Sequence, residues 1–180
     1  YGYIDTDKEA RKVLVEQIGG TLITIAKDVK IQVEFNPLEV RSYRLIGYEN
    51  RVMAAHEFHD DAKDAGEIGM GHRVTALYEI IPAGSADIPE VDTLKYGRPA
   101  VGKSDGSDEL LTVKLRYKQT GSSTSTQIET AVKNNRKELE QTSVDFRFAA
   151  SVAGFAMLLK DSAYLGDFGW QDCLSLARQA

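Results

Sequence analysis

The chain reads as α+β: an antiparallel β-sandwich or sheet of four to six strands packed against C-terminal helices. Three observations carry that reading. The middle of the chain alternates apolar and polar residues, as in "VKIQVEF" and "LLTVKLRY", which is the period of a half-buried strand. Both ends change to helical spacing, with Ala10, Val13, Leu14, Gln17 and Ile18 at the front and Val144, Phe148, Val152, Phe155, Leu158 and Leu159 near the end. Strands grouped between helices, rather than alternating with them, indicate α+β and not a parallel α/β sheet.

The elements follow in order. "YGYI" reads as a short strand. Asp5 or Thr6 caps a helix, with Glu9 three residues beyond Thr6 as in a capping box. Gly19-Gly20 interrupts the helix as a kink or joint, and "TLITIAKD" is expected to continue as a second helix. In the strand that follows, Val29, Ile31, Val33 and Phe35 should face one way and Lys30, Gln32 and Glu34 the other, up to the stop at Asn36-Pro37. "VRSYRLIGYENR" is a second strand, with Gly47 as a bulge or close approach. "HRVTALYEIIP" is a third, with Val74, Ala76, Tyr78 and Ile80 sharing a face. Residues 85–109 are rich in Gly, Pro, Asp and Ser and predict a long surface excursion, a candidate partner-binding loop. "LLTVKLRYKQ" is the fourth strand, "TGSSTSTQ" a flexible loop and "IETAV" a fifth strand. A long helix over 142–160 and a short one at "WQDCLSLARQ" complete the core, with Cys173 as a small core residue.

Bulk properties narrow the function. The 180 residues carry 22 basic and 27 acidic side chains, a net charge of −5. That balance disfavours nucleic acid or anionic lipid as the main partner, since both call for a basic surface. No apolar run reaches the roughly 20 residues of a membrane helix. A single cysteine excludes an internal disulfide framework and a Cys-based zinc site. The chain begins at Tyr1 and is read as a piece of a longer protein.

All three histidines fall in "AAHEFHDDAKDAGEIGMGH", residues 54–72. His56, His59, Asp60 and Asp61 are the candidate metal ligands, since imidazoles three apart beside carboxylates suit a divalent cation. "HEFH" is not H-E-x-x-H, and the acids lack the order of a calcium loop. The simpler reading is a polar connection between two strands, with Gly66, Gly69 and Gly71 serving turn geometry and His72 hydrogen-bonded at a sheet end. Tyr43, Tyr48 and Tyr78 read as strand tyrosines in cross-strand packing. Arg147 reads as paired with a strand or loop carboxylate. No nucleophile elbow or phosphate-binding loop occurs, and no catalytic residue or cofactor is assigned.

Several stretches together resemble a known family: "ARKVLVEQIGGTLITIAKDVKIQVEFNP", "YRLIGYENR", "DAGEIGMGHRVTALYEIIP", "VKLRYK" and "DFRFAASVAGFAMLLK". They are similar to the C-terminal region of bacterial von Willebrand factor type A proteins of the YfbK type. The resemblance implies that residues 1–28 are the last strand and helix of an A domain plus a linker, and that residues 29–180 form an accessory β-rich domain. The A-domain metal motif D-x-S-x-S is absent, and "KSDGSDE" is only an echo of it in the wrong order. The expected function is a non-enzymatic interaction or scaffolding module at the cell envelope, periplasmic or extracellular. Its partners would be the chain's own A domain and proteins not identifiable from sequence. The alternative is a metal-binding module or metal-dependent hydrolase built on His56, His59, Asp60 and Asp61. A stranded "YGYI" could also pair with an exposed edge of a second copy and make a dimer.

Overall fold

A computed structural model describes residues 4–16, 18, 23–48, 52–85 and 108–180. Residues 1–3 of the expected "YGYI" strand, the Gly19-Gly20 joint, residues 49–51 at the end of the expected second strand and nearly all of the 85–109 excursion lie outside those residues, while Ile4 is not strand. The chain is α+β, with antiparallel strands and terminal helices, as its patterning predicts. It divides into two compact units interleaved in sequence. The first comprises Tyr1–Asn36, Met53–Val74 and Glu109–Val132; the second comprises Pro37–Val52, Thr75–Asp108 and Lys133–Ala180.

The first unit opens with helix α1 (Asp7–Arg11), continued by a π-helical turn at Lys12–Glu16. The Thr6 hydroxyl accepts from the Glu9 N–H at 3.2 Å, so Thr6 is the cap that the sequence offered. Strand β1 is long, Thr24–Phe35. The expected second helix is therefore corrected: residues 24–28 are strand. Pairing on both sides of β1, with β3 and β5, outweighs their helical propensity.

Three further strands complete the unit's sheet: β3 (Gly66–Gly69), β5 (Glu109–Gln119) and β6 (Ser125–Lys133), in the order β3-β1-β5-β6. Strands β3 and β5 pair with β1 antiparallel, with Thr24 opposite Gly69 and Phe35 opposite Leu111, and β6 lies beyond β5. Strand β3 is a correction too, since Gly66 and Gly69 were assigned to turns. Gly71, at φ +76°, is the residue that needs glycine.

The second unit holds a two-stranded sheet of β2 (Val40–Ile46) and β4 (Leu77–Pro82). Tyr43 and Tyr78 meet edge-on at 6.4 Å, the cross-strand tyrosine packing that the sequence suggests. The third expected strand is shorter than "HRVTALYEIIP", because residues 72–76 carry no strand pairing. Helices α2 (Val144–Leu159) and α3 (Trp170–Arg178) pack on each other. Ser143 caps α2, its hydroxyl accepting from Phe146 N–H at 3.1 Å. The α2–α3 contact buries Ser151, Gly154, Cys173 and Leu176. Gly154 has a specific reason: a Cβ there would lie 2.6 Å from the Phe168 ring. Arg147 is a correction. Its guanidinium donates to the carbonyls of Gln179 (3.0 Å) and Thr142, not to a carboxylate. It thereby ties the end of α3 to the start of α2 and places a cation at a helix C-terminus.

Candidate functional site

The candidate site is built on β1 and β5. Their register sets Lys30 opposite Arg116 and Gln32 opposite Lys114. Directly opposed side chains share a face, so Lys30, Lys114 and Arg116 gather on one side of the sheet, with Lys118 two residues further along. Four adjacent cations repel unless answered.

Each has its answer. Lys114 pairs with Glu34 at 2.5 Å. Arg116 donates to the Asp61 carboxylate through Nη2 (3.0 Å) and Nε (3.3 Å). Lys118 donates to Asp28 Oδ2 at 2.7 Å and to the Asp61 carbonyl at 2.9 Å. The Lys30 ammonium donates to the carbonyls of Glu57 (3.2 Å) and Asp60. Asp28 comes within reach through a β-bulge. The register slips between Lys27 and Lys30, and Asp28 adopts φ +50°, a left-handed conformation that Asp tolerates better than most residues.

The cover over these cations is the 54–65 segment. A 3-10 turn at Ala55–Phe58 buries Phe58 to 2% exposure. Glu57 accepts from Ala54 N–H at 3.0 Å and pairs with Lys63 at 2.9 Å. Asp60 accepts from Ala62 N–H at 2.9 Å. The segment thus holds its own shape with two of its acids and grips the sheet with a third, Asp61, which also accepts from Ser125 Oγ. This corrects the alternation expected in β1. Lys30 is only 3% exposed, whereas Ile31 is half exposed. The covering carbonyls take the place of water for the ammonium, which makes its burial tolerable.

Electrostatics follow from the contacts. Lys118 foremost holds the Asp28 carboxyl below its usual range; burial opposes it next, and the Ala65 N–H adds to the lowering. Ser125 and then Arg116 do the same for Asp61, and Lys63 for Glu57. Lys118 and Lys63 are raised in turn by Asp28 and Glu57. Carboxylates held low stay ionised and accept only. They serve as fixed anchors at neutral pH, not as proton donors to a substrate.

The four sequence-predicted residues separate. Asp61 reaches the sheet, Asp60 folds back on its own segment, and His56 and His59 are exposed, with the His59 ring edge-on to Phe58 at 5.1 Å. Among the described residues no group of three His, Cys, Asp or Glu side chains is placed to hold a metal ion. His72 is exposed, its N–H donating to Gly69 at 3.1 Å. Sequence reasoning missed Asp28, Lys30, Arg116 and Lys118. A signal was present: Lys114, Arg116 and Lys118 alternate along one strand and call for an acidic cover, and the densest acidic run is in 57–67. A second, shallow groove in the other unit is lined by Ser42, Tyr43, Arg44, Glu79, Ile81 and Tyr164. There Arg44 is already held by Glu79 and lies 4.0 Å over the Tyr164 ring.

Comparisons with known proteins point one way. A family model described as "Uncharacterized protein YfbK, C-terminal" matches residues 20–180. "Uncharacterized protein YfbK" of Escherichia coli (strain K12) is 40% identical over 181 residues, covering 100% of this chain and 31% of that relative. The chain thus spans about a third of the length of the curated relative it matches. No solved structure matches it. No helix of the described residues is long and apolar enough to cross a membrane.

Proposed function

The chain belongs to the family of YfbK C-terminal regions, and from that premise we propose that it is a non-enzymatic interaction or scaffolding module accompanying a von Willebrand A domain in a bacterial cell-envelope protein. The observation that carries this reading is the clasp between residues 54–65 and the sheet. Asp61 is committed to Arg116 and Ser125, Glu57 to Lys63, and Asp28 of β1 to Lys118, so the most acid-rich part of the chain is spent on fixing a surface. A rigid, salt-bridged surface suits recognition, because little ordering is left to be done on binding. The expected boundary at residue 28 would cut through β1, Thr24–Phe35, and the family model already matches from residue 20, so only the stretch before residue 20 remains for the closing segment of an A domain, with the Thr6-capped α1 within it. Placement at the cell envelope rests on the same resemblance.

Two measurements test the reading. In calorimetric titration of Zn²⁺, Mn²⁺ and Ca²⁺ into the chelator-treated chain, the module should give no stoichiometric heat. One-to-one binding that disappears in a His56→Ala/His59→Ala variant would replace it with the metal-dependent reading. The A domain of the full-length protein, produced separately, should bind the 180-residue chain saturably, and absence of binding would remove the A domain as its partner.

A further inference from the structure

The apolar face expected to be buried on α2 is not buried. Val144, Phe148, Val152, Phe155 and Leu159 are all about half exposed or more, with Phe148 at 59% and Leu159 at 65%. On α3, Trp170 and Leu174 are exposed as well, and the Phe155 and Trp170 rings meet edge-on at 5.8 Å. That contact joins the two stripes into one patch. Its seven side chains leave on the order of 700 Å² of apolar surface in water, more than the roughly 300–600 Å² of the largest patch on a typical monomer. Such a patch marks an interface, and its pattern says with what.

The stripe on α2 reads almost the same in both directions. Its spacing is four, four, three and four residues about Val152. Laid antiparallel on a second copy, with a two-fold axis beside Val152, it sets Val144 against the partner's Leu159 and Phe148 against the partner's Phe155. Val152 then meets the partner's Val152. The same register brings Asp145, in the first turn of α2, beside the partner's Lys160 at the C-cap, twice over. Both helix dipoles are then opposed head to tail. The area also fits: about 700 Å² from each copy approaches the roughly 800 Å² per partner of a standard interface. An isologous two-fold contact of this kind closes on itself and leaves no open patch for further growth. Asp145, Asp161, Asp167 and Asp172 around the helix pair argue against an anionic lipid surface as the cover.

We propose that the chain forms a two-fold symmetric homodimer through the antiparallel packing of α2 on α2, with Trp170 and Leu174 of α3 extending the contact. The contact is independent of the A-domain reading and uses residues far in sequence from the clasp.

The test is the mass of the 180-residue chain by sedimentation and light scattering across roughly 1–100 μM, the range in which weak-to-moderate dimers dissociate. The expected result is twice the chain mass at the upper end. Val152→Lys, which sets two ammonium groups against each other on the axis, should raise the dissociation constant at least about a hundredfold. Circular dichroism checks that its fold is intact. Asp145→Lys should weaken the dimer and Asp145→Lys/Lys160→Asp restore it, an outcome only this register gives. Val152→Cys should form a disulfide-linked dimer under mild oxidation, whereas Val132→Cys on β6 should not. A monomer at every concentration overturns the proposal and assigns the patch to another partner or to the rest of the protein. A dimer that survives Val152→Lys and fails to cross-link through Val152→Cys overturns it as well.

Discussion

The face of β1 and β5 and the outer face of α2 are opposites in both composition and fate. The first is lined with Lys30, Lys114, Arg116 and Lys118, yet it is covered, and Lys30 is buried as deeply as most of the core. The second is lined with Val, Phe and Leu, yet it stands open. Patterning tells which side chains share a face. Whether that face meets water depends on what the rest of the chain, or another chain, can lay on it. A polar face can be sealed when the cover brings carbonyls and carboxylates in the right places, as 54–65 does. An apolar face stays open when its cover is not local.

This contrast can be broken most forcefully at the cover. Phe58→Ala should cost about 3–5 kcal/mol in urea denaturation, since it removes a fully enclosed large side chain by which the segment is seated. A change under about 1 kcal/mol would mean that 54–65 is a loose flap. Gly154→Ala tests the sealed side of α2 and should cost about 1–3 kcal/mol, because the new methyl meets the Phe168 ring. Lys30→Met keeps the stem but leaves the Glu57 and Asp60 carbonyls unanswered, at about 1–3 kcal/mol. If Lys30→Met stabilises instead, those carbonyls find water and the seal is not dry.

Acid should open the clasp while sparing the helices. Asp28 and Asp61 hold protons less tightly when folded than when unfolded. Their stabilising contribution is therefore complete above the unfolded carboxylate value of about 3.9, and it is lost as pH falls below that through the lower folded values. The melting temperature should drop across that window, and Asp28→Asn, which keeps a residue tolerant of positive φ, should flatten the drop. Equal slopes in both proteins would remove Asp28 from the clasp. The smallest effect belongs to the open face. Phe148→Ser, measured at protein concentrations low enough to keep chains apart, should shift stability by less than about 0.5 kcal/mol. A larger loss would show that Phe148 has a cover within its own chain.

Local chemistry made much of the fold legible. Thr6 with Glu9, the alternation of 29–35 and 111–118, and the helical stripe from Val144 all announce their elements through nearest neighbours. The failures are long-range. Residues 24–28 are strand because β3 and β5 flank them, and neither neighbour lies within thirty-five residues. Lys30 is buried because a segment some thirty residues downstream folds over it. Arg147 finds carbonyls at the far end of α3, which no sequence spacing encodes. At the candidate site the histidines drew the eye, while the working groups were cations on strands whose register was unknown.

The interleaving of the two units has a consequence for how the protein is made. Strand β1 leaves the ribosome long before Gln119, the far end of its partner β5. At typical rates of synthesis β1 waits on the order of ten seconds with its longest edge unpaired. Stretches of the second unit emerge during that interval, and the first unit cannot close until they have passed. No single cut in the chain would release either unit whole, because each is threaded through the other's sequence. Closure of the first unit is therefore a late event, and a nascent-chain chaperone would meet β1 as a bare, half-apolar strand until β5 has emerged.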